Sequence, residues 1–456
     1  FQGIIMSDYF ESSFLKKLSL VAQNNDPIEQ DLYQKYDVRR GLRYLDGRGV
    51  LVGLTRVGDV VGYEIIDGQK VAVPGKLIYR GYDVEDIIKD TEAQKQFGYE
   101  QTVYLLLFGE LPTQDELDEF RSFLGSKRFL PENFTEDMIM KAPSPDIMNK
   151  LARGVLASYS YDPNPEDVSI ANNLRQCIEL IARSVTLAAY AYEAKRHYYD
   201  GKSMYIHNPK PELSTAENLL RLIRRDKKYT KLEAEILDLA LILHAEHGGG
   251  NNSSFAVHVV SSADTDTYSA IAAAIGSLKG RRHGGANKQV MDMMDDIKKN
   301  VKHWDSETEV KEYLRKIIRK EAFDKSGLIY GQGHAVYTIS DPRTILLRDK
   351  AALLAKEKKM TEEFFLYTLI EKLAPIVFAE EKGDSKQICT NVDFYSGFVY
   401  TMLGIPRELY TPLFAVSRMA GWAAHRIEEI AAGGRIYRPA YKSILEQREF
   451  IPIQKR

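Results

Sequence analysis

The helical period of the apolar residues limits this chain most. Leu232, Ile236, Leu237, Leu239, Ala240 and Leu243 recur three and four residues apart, which lays an apolar stripe along one side of a helix. Most of the 456 residues read this way. Helix starts carry their own signals. Thr113 to Glu116, Ser214 to Glu217 and Ser306 to Glu309 each fit a capping box, in which hydroxyl and carboxylate satisfy free backbone donors. Arg348 to Lys359 reads as a helix with a solvated charged face. One region departs from the pattern. Gly49 to Asp83 is rich in Val, Ile and Gly, and Asp67-Gly68 between two alternating runs predicts a hairpin turn. The expected fold class is therefore mainly α, with a small β-element at about 49–83 near the N-terminus.

Composition narrows the function classes. A length of 456 residues suggests roughly two or three domains. With 44% hydrophobic and 28% charged residues, the chain can bury a large core and is not a disordered protein. The formal net charge of -2 gives no bulk attraction to nucleic acid or to an anionic membrane. Two distant cysteines, Cys177 and Cys389, build no disulfide framework or Cys-rich metal site, which predicts a reducing, cytoplasmic setting. The most apolar helical stretch, Ile236 to His244, is short and carries Asp238, so no bilayer span is expected. Phe1-Gln2-Gly3 reads as a tag remnant ahead of Met6, and no signal peptide pattern is expected there.

Glycine-rich breaks at Gly248 to Gly250, Gly284-Gly285, Gly331 to Gly333 and Gly433-Gly434 let helix ends approach a ligand. Four of the nine histidines lie in or beside them: His244, His247, His283 and His334. Any one reads more simply as a capping or core histidine; four together, flanked by arginines, suggest a site. Asp393, in Asn391-Val-Asp393-Phe-Tyr-Ser-Gly397, is one carboxylate in an otherwise uncharged run. It reads equally as a desolvated base or as a helix N-cap. Arg418, on an apolar helical run, needs an anionic partner if buried and otherwise snorkels at the core edge. Arg438 precedes Pro439 on what reads as a structured loop. A zinc site from His244, His247 and His283 is a minor alternative, since no HExxH pattern exists. No P-loop or dinucleotide fingerprint is present.

Together these segments resemble the citrate synthase family of si-type helical enzymes. The match runs through His-x-x-His247-Gly-Gly-Gly-Asn251, His283-Gly-Gly-Ala-Asn287, Gly-His334-Ala-Val followed by Asp341-Pro-Arg343, Asn391-Val-Asp393, Ser417-Arg418 and Arg438-Pro439, from about residue 45 to about 442. The resemblance implies a large helical domain (7–285 and 404–456) and a smaller one (286–403), with the site in the cleft between them. It implies condensation of acetyl-CoA with oxaloacetate and hydrolysis of the citryl thioester, with acyl-CoA as substrate and no cofactor or metal. Asp393 matches the family's base, His283 the donor to the thioester oxygen, and His334 the group that polarises the oxaloacetate carbonyl. His247, Asn251, Arg343, Phe414, Arg418 and Arg438 match substrate-binding positions, Arg438 coming from the second subunit of a homodimer. Lys386 falls where the family places a lysine near the CoA phosphates. Gln332 and Thr338 depart from the family's usual residues and bear on CoA affinity and acyl choice. A 2-methylcitrate synthase using propionyl-CoA is the nearest alternative; a helical scaffold or CoA-responsive binding protein is the non-enzyme one.

Overall fold

The computed structural model describes residues 13–383 and 388–456. The chain divides into two compact units, Phe1–Leu54 and Thr55–Arg456. The first carries α1 (Ser13–Asn25), α2 (Gln30–Lys35), a short 3-10 turn at Arg40–Leu42 and a bridge between Arg43 and Gly49. None of its described side chains is buried.

The second unit opens with an antiparallel sheet of β1 (Gly58–Ile66), β2 (Gln69–Tyr79) and the short β3 (Tyr82–Asp83). Asp67 and Gly68 both take left-handed backbone angles, φ 50° and 76°, as a tight hairpin turn requires. The sheet thus lies within the expected β-region but starts nine residues later, at Gly58. Helices follow: α3 (Val84–Ala93), α4 (Tyr99–Phe108), α5 (Gln114–Ser126), α6 (Ile147–Ser158), α7 (Ile170–Asp200), α8 (Thr215–Ile223), α9 (Lys231–His244), α10 (Asn252–Ser261) and α11 (Thr267–Lys279). After them come α12 (Ala286–Asn300), α13 (Glu307–Ile318), α14 (Pro342–Glu357), α15 (Thr361–Lys382), α16 (Val392–Met402) and α17 (Tyr410–Ala431). No helix among the described residues is long and apolar enough to cross a membrane.

Capping explains several of these starts. Thr113 with Glu116 and Ser214 with Glu217 form complete capping boxes, and so do Thr230 and Glu233, which opens α9. Ser306 forms half of one. Its hydroxyl accepts from the Glu309 N–H, but the Glu309 carboxylate turns instead to the His303 ring and to the backbone N–H groups of Lys302 and His303.

Helix α17 runs through the core. Ala415 to Arg426 is buried throughout, and small residues such as Ala415, Ala420, Gly421, Ala423 and Ala424 let α4, α7, α9, α10 and α11 pack close to it. The sheet holds a loop in place. A Cβ on Gly62 would collide with the Val336 carbonyl, and one on Gly75 with the Ser340 carbonyl and the Tyr337 ring. Only glycine allows the hairpin this approach. The Gly75 N–H also donates to Ser340 Oγ at 3.1 Å.

Candidate active site

Four helix ends converge. The first is the turn from α9 to α10. His244 closes α9 with Nδ1 2.8 Å from the Ala240 carbonyl, so it takes the plain structural role of a buried helix-end histidine. Gly248 adopts φ 83°, and the chain turns so that His247 is buried with no hydrogen-bond partner for Nε2. Asn251 caps α10, its Oδ1 accepting from the Ser253 N–H at 3.3 Å and from Ser253 Oγ at 2.9 Å.

The second end is the turn before α12, which carries His283. Its Nε2 lies 3.1 Å from Ser253 Oγ, and that oxygen also accepts from Trp422 Nε1 at 3.1 Å. Ser253 therefore has one proton, to give either to Asn251 or to His283.

The third is the segment from Gly331 to α14. The backbone N–H groups of Val336 and Tyr337 both donate to His334 Nδ1 at 3.1 Å. With that lone pair engaged, the neutral ring carries its proton on Nε2. Tyr337 stacks on His334 with ring centroids 4.7 Å apart, and His247 meets His334 edge-on at 5.2 Å. Asp341 caps α14 and clamps Arg343, accepting from Nε at 3.0 Å and Nη2 at 2.7 Å.

The fourth is the start of α16. Asn391 is the N-cap, its side chain accepting from the Asp393 N–H at 3.0 Å. Asp393 is therefore not the capping residue, and its carboxylate is left for other work. A bridge ties this end to the third. Gly333 donates to the Cys389 carbonyl at 2.7 Å, Asn391 N–H to the Gly331 carbonyl at 2.9 Å, and Asn391 Nδ2 to the Gly333 carbonyl at 2.8 Å.

Helix α17 supplies the floor. Arg418 is fully buried rather than snorkelling. Its Nε donates to the His244 carbonyl at 2.6 Å, Phe414 lies under its guanidinium at 4.8 Å, and both Nη1 and Nη2 are buried without an acceptor. Phe414 also meets His244 edge-on at 4.7 Å and His283 at 6.4 Å.

The electrostatics follow from burial among arginines. Burial pushes the Asp393 carboxyl up to about 6; Arg343 and Arg418 pull it down, and Asp341 pushes it further up. Burial, then Arg418, holds His283 down at about 4. Burial, then Arg343 and His334, holds His247 well below the usual histidine range. Burial lowers Arg418 to about 10, whereas Asp341 more than offsets burial at Arg343 and keeps it firmly charged. The arrangement offers an anion hole with unpaired donors, a carboxylate of near-neutral pKa, and two neutral imidazoles.

Of the residues singled out from sequence, His247, His283, His334, Arg343, Asp393, Phe414 and Arg418 come together here. Asn251 joins through Ser253. Arg438 does not: it is exposed on the segment after α17, just beyond Tyr437, whose N–H donates to Ser262 Oγ at 3.1 Å. Lys386 lies outside the described residues. His244, His247 and His283 do not form an ion-binding group. Among the described residues the His and carboxylate side chains close enough to share an ion are His258, His425 and Glu428. Sequence reasoning gave no role to Tyr337, Ser253, Trp422 or Glu246. Tyr337 directly follows the Gly-His334-Ala-Val run, but an aromatic in a loop carries no periodic signal of stacking.

Comparison with known proteins agrees with this architecture. The family model "Citrate synthase, C-terminal domain" matches residues 43–440. Citrate synthase of Haloferax volcanii is 34% identical over 426 residues, covering 92% of this chain and 99% of that protein. A 2-methylcitrate synthase of Shewanella oneidensis is 31% identical over 396 residues, covering 85% and 94%. Among solved structures, citrate synthase of Thermoplasma acidophilum, in a ternary complex with carboxymethyl coenzyme A and oxaloacetate, superposes with a TM-score of 0.74 at 28% identity, covering 92% of this chain and 99% of that one. The Pyrobaculum aerophilum enzyme gives 0.73 at 28% identity, covering 90% and 94%. Shared sequence along nearly the full length of these enzymes, on the same all-helical fold, places the chain in the citrate synthase family, as an enzyme of that type.

Proposed function

We propose that the site condenses acetyl-CoA with oxaloacetate and hydrolyses the resulting thioester to citrate and CoA. The observation that carries this reading is the set of buried polar atoms without partners, the Arg418 donors Nη1 and Nη2 and the ring nitrogen His247 Nε2, beside a carboxylate whose pKa burial has raised. Buried unpaired donors are costly, and a dicarboxylic keto acid satisfies them. Arg343, held by Asp341, adds a fixed positive charge.

The chemistry assigns one role to each group. Asp393, ionised, removes a proton from the acyl methyl. His283, neutral, donates a hydrogen bond to the thioester oxygen as negative charge develops there. Ser253 suits this when its proton goes to His283 Nε2, which leaves the hydrogen on Nδ1. The enolate carbon then bonds to the keto carbon of oxaloacetate. His334, with its proton on Nε2, polarises that carbonyl and protonates the alkoxide. Water then cleaves the citryl thioester, and CoA leaves.

The smaller domain is proposed at 286–403. Ion pairs Lys298–Glu363, Lys311–Glu380 and Lys372–Glu307 join α12 and α13 to α15 within it, and Arg319, just past α13, pairs with Glu381. A homodimer is proposed to complete each site with Arg438. Supporting this, Tyr441, Leu445, Phe450 and Ile453 near Arg438 are 69–95% exposed, apolar surface that a second copy would cover.

The test is CoA release from acetyl-CoA with oxaloacetate; absence of turnover there and with propionyl-CoA ends the reading. Propionyl-CoA is the second reading because a 2-methylcitrate synthase is also similar to this chain, at 31% identity over 85% of it. An added methylene is worth only ~1–3 kcal/mol in an apolar pocket, so kcat/KM for the two acyl-CoAs decides between them.

A further inference from the structure

Behind the anion hole lies a buried chain of four titratable groups that the proposed chemistry does not use. Glu246 and His425 are both fully buried, and Glu246 Oε1 lies 3.0 Å from His425 Nε2. His425 Nδ1 lies 3.1 Å from His258 Nε2, and His258 Nδ1 lies 2.7 Å from Glu429 Oε2. Glu428 Oε2 stands 3.7 Å from His425 Nδ1. Burial works against charge on His425, but Glu246 and Glu428 hold its pKa up at about 9. Burial, then His425, holds His258 down. One proton distribution fits all four ring nitrogens: a doubly protonated His425 donates to Glu246 and to His258, and a neutral His258 donates to Glu429.

Glu246 is the link to the site. Its Oε1 accepts from the Gly248 N–H at 2.5 Å, one residue after His247. It packs against α17 at Gly421, which lies between Arg418 and His425 along that helix, and a Cβ at 421 would strike its Oε2. Its charge is felt by Arg418. Yet Glu246 accepts from neither terminal nitrogen of Arg418, and both stay without an acceptor.

We propose that His425 is a positioning residue for oxaloacetate binding: by neutralising Glu246 it keeps the Arg418 fork free for a substrate carboxylate. Without that neutralisation, a buried carboxylate whose charge already acts on Arg418 would compete with substrate for the guanidinium. The inference rests on the proposed oxaloacetate chemistry.

The test combines His425→Gln, Glu246→Gln and the double variant in the full-length protein. Oxaloacetate binding is read by Trp422 fluorescence, and KM by CoA release. His425→Gln raises the oxaloacetate Kd and KM at least about tenfold, with the acyl-CoA KM within about threefold of wild type. Removing the uncompensated charge in Glu246→Gln/His425→Gln restores most of the oxaloacetate affinity, which a merely structural role for the pair would not. Unchanged affinity in His425→Gln overturns the inference, as does a double variant no better than the single. If His425→Gln does not fold, the double variant carries the test: affinity within about threefold of wild type is expected, and a larger loss overturns the inference. Zinc bound in stoichiometric amount to the purified protein, at His258, His425 and Glu428, also overturns it, since the ion would displace the shared proton. A wild-type chain that neither binds nor turns over oxaloacetate overturns the proposed function as well; turnover with a silent His425→Gln overturns this inference alone.

Discussion

Asp393 shows how one environment sets both chemistry and stability. Because burial raises its pKa to about 6, the carboxylate is a stronger base than an exposed aspartate and is still ionised at neutral pH. With Asp393 as the proposed base, activity requires the ionised form, so kcat/KM falls as pH drops through about 6. His283, held at about 4, stays neutral over that range and adds no second limb above pH 5. A profile flat down to about pH 4 would refute these roles. Asp393→Ala lowers kcat at least about 10³-fold while oxaloacetate still binds. The stability effect runs the opposite way. A folded pKa above the unfolded value of about 3.9 favours the protonated form, so stability from this group is full below that value and is lost as pH rises through about 6. Asp393→Asn therefore raises Tm at pH 8 by about 2–6 °C, a gain that disappears toward pH 4 in thermal melts.

At the scale of elements, the hairpin sets the loop that carries His334. Gly75→Ala drives a methyl into the Ser340 carbonyl and the Tyr337 ring, and Tyr337 is the surface on which His334 stacks. Melts should show a loss of about 1–3 kcal/mol, and kinetics a fall in kcat. Gly68→Ala is the control: its φ of 76° makes alanine strained by about 1–2 kcal/mol, but nothing lies within 4 Å, so kcat holds. Much of this level was legible in the sequence. Helix period, two capping boxes and the Asp67-Gly68 turn depend on neighbours in the chain. The half-formed box at Ser306 was not legible, because His303 competes for Glu309 through space. The histidines and arginines in glycine breaks could be picked out because such breaks mark helix ends. Glu246 passed as a spacer between two histidines, since its partner His425 lies 179 positions away. Arg438 came from resemblance alone; its exposed segment gives no local sign of a role.

At the scale of the whole molecule, the proposed dimer makes a prediction that separates cis from trans contribution. Asp393→Ala and Arg438→Ala proteins, each inactive alone, are mixed under conditions that exchange subunits. If Arg438 acts across the interface, each hybrid dimer has one intact site, and random pairing recovers about a quarter of wild-type activity. No recovery, with hybrids confirmed by mass, would place Arg438 in its own subunit's site. Within one chain the bridge between Gly331–Gly333 and Cys389–Asn391 has a consequence of its own. On the proposed roles, it fastens the proton acceptor for the thioester to the imidazole that activates the other reactant, so both arrive at their working positions in one step. A cleft that could make the carbanion with no electrophile awaiting it is thereby disfavoured, and the energy-rich sulfur ester is spared idle breakdown.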